Sequence, residues 1–376
     1  MPLDLSAGDP AGLRRRMTRR RLLRGAGALT AAMPLAALLA ACGGEDNGGA
    51  ATTTATEPAG NETGSAATPG TASPTAAANP EASGGEWTFT DDRGITVTLP
   101  SRPERIVAQT AAAAALWDYG IRPVGIFGPY RMEDGSPDFQ AGNIDLDAVE
   151  YLGDYGEMDL EKLVALQADV YVDFALYDDQ LWYLGDTEPR VKEIVPTIGI
   201  SMQGVSILQS IERFEELAGL LGADLSAPEV VEAKEEFAAA EADLKAAIEE
   251  KPDLRVLVIS NSLDQIYIAS PEWMTDLRHF ADLGLDIVTH ETEDFFESLS
   301  WEQANKYPAD LILVDQRPGL LTQEQLNAIP TWTSLPAVQA GQVGPWYAGA
   351  PYSHHRFAPI MRELAEIIRN SRDDIV

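Results

Sequence analysis

The sequence predicts an α/β protein of two similar lobes with mostly parallel sheets, joined by a single long helix, with a ligand cleft between the lobes. Three observations predict this architecture. Short apolar strands alternate with helices, which is typical of parallel sheets covered by helices on both faces. A helix–strand unit containing Glu-x₇-Asp occurs once in each half of the chain. Between the halves, residues 228–251 contain no glycine and are rich in Ala, Glu and Lys.

The N-terminal region is predicted to export and tether the protein. Residues 18–24, Thr-Arg-Arg-Arg-Leu-Leu-Arg, precede the apolar stretch 25–41, and this order is typical of an export signal. It resembles a twin-arginine signal peptide over residues 1–41. The following Cys42 closes a Leu-Ala-Ala-Cys sequence that resembles the bacterial lipobox, which implies a lipidated cysteine on the outer face of the cytoplasmic membrane. An ordinary signal with an accidental cysteine is the alternative.

Residues 42–86 lack aromatic and basic residues, so they are predicted to form a flexible linker. Overall the chain has 27 Lys+Arg against 59 Asp+Glu, a formal charge of −32. This charge excludes nucleic acid as a bulk partner. The single cysteine excludes a disulfide framework and a thiolate zinc site. The sequence contains no GxxxxGK, GxSxG or HExxH motif, so no catalytic or resident cofactor site is expected.

The N-terminal lobe is predicted over residues 87–225. It opens with two alternating strands around Asp91-Asp92-Arg93-Gly94, a pattern that indicates a hairpin. The strand and helix segments that follow are strand 105–108, helix 111–119, strand 123–127, a helix that starts at 159 and strand 170–172.

A long helix is predicted to connect the lobes over residues 226–252. Val230, Phe237 and Leu244 recur at helical spacing, with Pro228 suited to the helix start and Pro252 to its end. One more core helix is the alternative to a strut that spans both lobes and limits their relative motion.

The C-terminal lobe is predicted over residues 253–376, with strands at 255–259, 265–268 and 311–314 and an amphipathic helix at 357–370. Its helix starting at Ser300 repeats the register of the first lobe, because Glu161 precedes Asp169 as Glu302 precedes Asp310. Such self-similarity predicts lobes of related architecture, although chance is an alternative.

These segments together resemble the helical-backbone substrate-binding proteins of bacterial ABC importers, which serve ferric siderophores, haem and cobalamin. The resemblance covers about residues 87–370 in the right order. The segments that carry it are 105–107, 119–125, 160–169, 299–303 and 335–343, and the hairpin and 127–131 look most like the siderophore branch.

The resemblance implies a monomeric, lipid-anchored receptor outside the cytoplasm, not an enzyme. Such a receptor captures a ferric siderophore and delivers it to an ABC permease and its ATPase. A haem or cobalamin receptor of the same fold is the alternative within the class. A surface enzyme or sensor on a two-lobed scaffold is the alternative from another class.

Candidate ligand contacts are the aromatic, charged and histidine side chains on loops that follow strands, because ligands bind at the carboxyl ends of parallel strands. Arg131 and Arg317 stand out because basic residues are scarce. The full set is Tyr130, Arg131, Asp154, Tyr155 and Tyr177 in the first lobe and Trp273, Arg317, Trp346, Tyr347 and His354 in the second. Packing or a solvated loop is the alternative for each. The acidic chain favours a neutral or cationic chelate, such as a hydroxamate complex, over an anionic catecholate.

Glu161 and Glu302 are candidate docking residues. The resemblance implies that a glutamate on each lobe meets arginines of the permease, and these two occupy the matching positions. Each follows a predicted N-cap, so stabilisation of the helix dipole is the physical alternative.

Overall fold

The computed structural model describes residues 85–132, 134–176, 180–292 and 294–376. The predicted signal peptide, Cys42 and Tyr177 lie outside the described residues. Within the described part, no helix has the length and apolar character needed to cross a bilayer.

The N-terminal lobe contains a small hairpin and a six-stranded sheet. The hairpin pairs Trp87–Thr90 (β1) with Thr96–Leu99 (β2) in antiparallel register, as predicted. The strands of the large sheet are Ile106–Gln109 (β3), Gly125–Phe127 (β4), Glu150–Tyr151 (β5), Val170–Leu176 (β6), Gln180–Leu181 (β7) and Thr197–Ser201 (β8). The helices are Thr110–Asp118 (α1), Leu160–Ala165 (α2), Glu188–Ile194 (α3) and Ile207–Leu220 (α4), with 3₁₀ turns at Phe139–Ala141 and Gly185–Thr187.

The large sheet of this lobe is mostly parallel, with β3 and β6 at its centre. The order is β5-β4-β3-β6, and β6 also pairs with β8 in parallel and with β7 in antiparallel register. Every residue of β3, β4 and β6 is buried. Burial along whole strands is what a parallel sheet with helices on both faces requires.

The predicted long helix is observed at Pro228–Glu249 (α5), and Val230, Phe237 and Leu244 are buried on one side of it. The C-terminal helix His354–Asn370 (α10) runs along α5. The Arg369 guanidinium lies 2.6 Å from the Asp243 carboxylate across this contact. The amphipathic pattern that predicted a helix over 357–370 therefore misses only its first turn.

The C-terminal lobe contains a second six-stranded sheet. Its strands are Arg255–Asn261 (β9), Gln265–Ile268 (β10), Asp286–Ile287 (β11), Glu297–Ser300 (β12), Leu311–Asp315 (β13) and Val343–Trp346 (β14). The remaining helices are Thr275–Asp282 (α6), Gln323–Asn327 (α7), Pro330–Thr333 (α8) and Pro336–Gln339 (α9). The predicted helix after Ser300 is a 3₁₀ helix, Trp301–Lys306, closed by a capping box between Ser300 and Gln303.

Parallel pairing forms the centre of this second sheet. The strand order is β12-β10-β9-β13-β14, and β11, β13 and β14 are parallel to the strands they pair with. Only three residues, 262–264, connect β9 to β10, and so short a connection allows only antiparallel pairing. Both lobes thus share a parallel core, as the sequence predicted.

The repeated aspartate has the same structural role in both lobes. Asp169 Oδ2 accepts hydrogen bonds from the backbone N–H groups of Glu104 and Arg105, each at 2.8 Å. Asp310 Oδ2 accepts from the N–H of Arg255 at 3.0 Å, while its Oδ1 accepts from Ile375 and Val376. Arg105 directly precedes the central strand β3 of the first lobe, and Arg255 begins the central strand β9 of the second, so the two units are structural equivalents.

We predict that Asp310→Ala destabilises the protein by about 1–3 kcal/mol, because three backbone N–H groups lose their acceptor beside a residue that is 2% exposed. Asp169→Ala is the matched variant and should cost only about 0.5–1.5 kcal/mol, since water can replace the carboxylate at that half-buried site. Urea denaturation measures both values. Equal losses for the two variants would contradict the role given to burial.

Candidate ligand-binding site between the lobes

A cavity lies between the two lobes and encloses about 1470 Å³ of atom-free space, including its mouth open to solvent. The first lobe contributes Tyr155, Trp182 and Tyr183 to its wall. In the second lobe, β9 and β14 end at the cavity with Asn261 and Trp346. The site therefore forms where the carboxyl ends of parallel strands meet, which is the usual ligand position in open α/β sheets.

Stacked aromatic rings form the wall contributed by the first lobe. Tyr155 stacks on Tyr183 with ring centroids 4.5 Å apart, and Trp182 stacks across the lobe boundary on Phe295 at 5.6 Å. Gly128 makes room for Tyr155, because a Cβ there would lie 2.4 Å from its ring and the backbone has φ +110°. Such rings supply stiff apolar area beside hydroxyl groups.

Tyr155 and Tyr183 of the cavity wall are protonated at neutral pH. Burial raises the pKa of Tyr155 well above its ordinary value and that of Tyr183 to about 12. The Tyr155 hydroxyl accepts a hydrogen bond from Gln109 Nε2 at 2.7 Å and donates to Gln140 Oε1 at 3.2 Å. These side chains offer hydroxyl groups rather than phenolates to a ligand.

Arg317 is the cation of the cavity wall, and Asp315 holds it in place. Its Nη2 lies 2.5 Å from Asp315 Oδ2, and its Nε lies 2.9 Å from the same oxygen. The Asp315 side chain is fully buried, whereas that of Arg317 is 30% exposed. Burial opposes the charge on Arg317, but the adjoining carboxylate outweighs burial and raises its pKa.

Asp276 is the acid of the cavity wall. Its Oδ2 accepts a hydrogen bond from Trp346 Nε1 at 2.7 Å, and its Oδ1 accepts from the backbone N–H of Leu277 at 2.9 Å. Burial raises the pKa of Asp276 to about 6, and the negative charge of Asp315 adds to the shift. Its protonation state therefore changes within the physiological range.

Four of the predicted contact residues line the cavity: Tyr155, Arg317, Trp346 and Tyr347. One other, Trp273, contacts the wall without lining it, since its ring centroid lies 6.4 Å from that of the lining residue Phe295.

The other described candidates have contacts elsewhere. Tyr130 stacks on Tyr151 at 4.2 Å, and Arg131 forms an ion pair with Asp147 at 3.4 Å. Asp154 is exposed on a turn.

His354 is buried rather than exposed at the cleft. Its Nδ1 lies 3.2 Å from the Tyr119 hydroxyl, and its ring packs edge-on against Phe237 at 5.2 Å. Burial lowers its pKa, so the imidazole is neutral. Among the described residues, no group of three or more His, Cys, Asp or Glu side chains is placed to hold a metal ion.

Comparison with known families identifies the architecture. The profile of the family described as Periplasmic binding protein matches residues 107–346. This chain belongs to that family. Its members are solute-binding proteins of the extracytoplasmic space rather than enzymes, and the predicted family and fold class are thereby confirmed.

Solved structures agree with this assignment. DesE, a ferric-siderophore receptor protein from Streptomyces coelicolor, is 39% identical, with a TM-score of 0.73 over 76% of this chain and 99% of DesE. The triscatecholate siderophore-binding protein FeuA from Bacillus subtilis is 18% identical, with a TM-score of 0.58 over 75% of this chain and 97% of FeuA. Staphylococcus aureus SirA, complexed with staphyloferrin B, is 17% identical, with a TM-score of 0.55 over 76% of this chain and 99% of SirA. The last two share the fold alone. No curated protein sequence matches the chain.

Some residues of the cavity wall were not predicted from the sequence. Asn261 ends β9, so the rule that selects strand ends could have found it. Trp182 and Tyr183 follow the two-residue strand β7, which has no periodicity to detect. Gln140 and Asp276 lie on a 3₁₀ turn and at a helix start, and only tertiary packing brings them to the cavity.

We predict that Asp276→Asn becomes more stable relative to the wild type as the pH rises from 4 to 7. Between about pH 4 and pH 6 the unfolded chain loses the Asp276 proton while the folded protein keeps it, so wild-type stability falls through this window. Asparagine does not titrate. Urea denaturation across the pH range measures the difference, and Asp264→Asn, at an exposed carboxylate, is the control. A pH-independent difference would contradict a raised pKa at Asp276.

Proposed function

We propose that this protein is a membrane-anchored extracytoplasmic receptor that captures a ferric siderophore and delivers it to an ABC permease. The observation that carries the proposal is the aromatic cavity between the lobes, with the Arg317 guanidinium held at its wall. The 39% identity to DesE over nearly the whole of that receptor supports the same class of ligand. The lipobox-like sequence at Cys42 supports the anchor.

The charges of the cavity favour a chelate without net negative charge. Among the lining residues that the structure describes, the charged side chains at neutral pH are Arg317 and Asp276. Asp315 lies directly against Arg317 and cancels its charge at short range. A ferric tris-catecholate is anionic and needs uncompensated cations, whereas a ferric tris-hydroxamate is neutral at its iron centre. The ligand class that fits this wall best is therefore the hydroxamate siderophores.

The two candidate docking glutamates lie at the same edges of their sheets as the cavity. Asp159, which precedes α2, donates its N–H to Leu152 O at 2.7 Å, just beyond β5. Ser300 pairs with Gln265, directly after the turn that follows β9. Glu161 and Glu302 are both exposed in the first turns that follow these residues. A permease that binds both would thus contact the two lobes at the carboxyl edges of their sheets.

A hydrogen bond supports an ionised carboxylate at Glu302. The Ser300 hydroxyl hydrogen-bonds to Glu302 and lowers its pKa. In the helix-dipole alternative, each glutamate stabilises the start of its helix by about 0.3–1 kcal/mol. It does not explain why both lobes carry the glutamate in one register at the carboxyl edge of the sheet.

We predict that ferric hydroxamates quench tryptophan fluorescence with sub-micromolar affinity, because Trp182 and Trp346 line the cavity. Arg317→Ala should weaken binding by about 1.5–3 kcal/mol, the range of a hydrogen bond to a charged group. Titration of both proteins with hydroxamate, catecholate and carboxylate chelates, haem and cobalamin measures this.

Arg131→Ala is the matched control for this titration, since it removes an arginine that does not line the cavity. A loss of affinity in that variant would show that the ligand extends to Arg131. If no chelate changed the emission while a free divalent metal did, the siderophore proposal would be wrong.

We predict that Glu161→Ala/Glu302→Ala leaves chelate affinity unchanged and strongly reduces uptake of radiolabelled chelate through the permease. The control is Glu229→Ala/Glu232→Ala, which removes two exposed glutamates from the first turns of α5. Both double variants change the net charge equally, so long-range electrostatics cannot separate them. Wild-type uptake by the first variant, at equal expression, would leave both residues with a helix-stabilising role only.

A further inference from the structure

Asp276 is a carboxylate of the cavity wall without a cationic partner. It lines the cavity and is half-buried, whereas Thr275 and Leu277 beside it are buried. Its two oxygens accept hydrogen bonds from neutral donors, the Trp346 indole and the backbone N–H of Leu277. Among the described residues, no Lys, Arg or His side chain forms an ion pair with this carboxylate. Carboxylates withdrawn from bulk water are normally paired with a cation, so this one points to a cation on the ligand.

Arg317 lines the same cavity but is already paired. Its Nη2 and Nε contact Asp315, whose side chain is fully buried. Two opposite charges in direct contact have little effect at a distance. Within the described part of the wall, the charge left over at neutral pH is therefore the single negative charge of Asp276.

The groups that face Asp276 from neighbouring elements do not balance it. Tyr352, which precedes α10, is neutral because burial raises its pKa well above the ordinary value. A small recess on another side of Asp276 is lined by Tyr347 and by Glu363 of α10. Burial and a hydrogen bond to Glu363 raise the pKa of Tyr347 to about 12. These neighbours are neutral or acidic, so none of them supplies a positive charge.

The basic residues of α6 do not pair with Asp276 either. His279 lies one turn along the helix, but its Nε2 is 2.9 Å from a carboxylate oxygen of Glu241 on α5. Burial lowers the pKa of His279, which favours the neutral imidazole. Arg278 is two residues from Asp276, and side chains at this spacing do not face each other on a helix.

From this geometry we infer that Asp276 is a specificity-determining residue that pairs with a cationic group, such as a primary ammonium, carried by the chelate away from its iron. The inference rests on the proposed function and specifies the charge of the ligand. A ferric tris-hydroxamate is neutral at its iron centre. One ammonium group on such a chelate matches the one uncompensated charge of the wall.

The test compares two ligands that differ only in this charge. One is a linear ferric tris-hydroxamate that ends in a primary amine, and the other is the same chelate with that amine acetylated. At pH 8 the amine is protonated and Asp276 is ionised, and we expect the wild type to bind the amine form about tenfold more tightly. Isothermal titration calorimetry measures both affinities.

The same comparison at pH 5 tests whether the preference depends on an ionised Asp276. Burial raises the pKa of this carboxyl to about 6, so most of the free protein has it protonated at pH 5. The ammonium must then displace a proton, and linkage reduces a tenfold preference to about twofold. A contact with an uncharged group would give the same preference at both pH values.

Asp276→Asn should bind the two chelates alike at both pH values. The matched control is Glu272→Gln, which removes one negative charge from an exposed side chain four residues earlier that does not line the cavity. This control should keep the preference of the wild type. If it lost the preference too, long-range attraction by the acidic chain would explain the result, and the inference would be overturned.

The outcomes separate the inference from the proposed function. If the wild type binds no chelate, the proposed function fails. If it binds other siderophores but neither form of this chelate, or binds both forms equally at pH 8, the inference fails and the proposed function stands. A preference that is unchanged at pH 5 also overturns the inference. These measurements use the wild type, so they decide even if Asp276→Asn does not fold.

Discussion

In each lobe an aspartate carboxylate accepts a hydrogen bond from a backbone N–H group at the start of the neighbouring central strand. Asp169 accepts from Arg105 in the first lobe, and Asp310 accepts from Arg255 in the second. These bonds extend the parallel pairing to its first residue and fix which residues of the two strands lie opposite each other. Strands rise by a nearly constant distance per residue. The residues paired at the start of two strands therefore determine which residues lie at their carboxyl ends. Arg317 and Asn261 reach the cavity as a consequence of a register that is fixed at the far edge of the sheet.

The long helix α5 connects the lobes through contacts with both. Lys234 on α5 forms an ion pair with Glu215 on α4 at 2.5 Å, while Glu241, further along α5, lies 2.9 Å from His279 on α6. Phe237 is buried between these points. Exposed ion pairs contribute little, so the apolar side of α5 is the stronger restraint on how the lobes are oriented. This arrangement supports the interpretation of α5 as a strut rather than one more core helix.

The sequence was sufficient for features with a local or repeated pattern. Apolar runs predicted the strands at 105–108 and 255–259, and the repeated Glu-x₇-Asp predicted equivalent lobes. The rule that ligands lie after strands led to Arg317 and Trp346, but it applied equally to Arg131, whose loop is held by Asp147 and the Gly135 carbonyl instead. Gln140 could not be predicted, since its position beside a tyrosine of the cavity depends on tertiary packing. Which strand-end loops turn toward the cavity is decided by such tertiary contacts.

The chain has a net charge of −32, but the charge that a ligand meets depends on which charged side chains of the cavity wall form ion pairs. Asp315 lies beneath Arg317 and contacts it through two guanidinium nitrogens, so it orients the group while cancelling most of its charge at a distance. Arg317 then acts as a directed hydrogen-bond donor rather than as a source of positive potential. Burial is the main reason for the raised pKa of Asp276, and the negative charge of Asp315 adds to it. Oriented donors, neutral phenols and little net charge together suit the shape and oxygen atoms of the chelate, neutral at its iron centre, that we propose as the ligand. A wall built for an anionic chelate would need the guanidinium without its buried carboxylate.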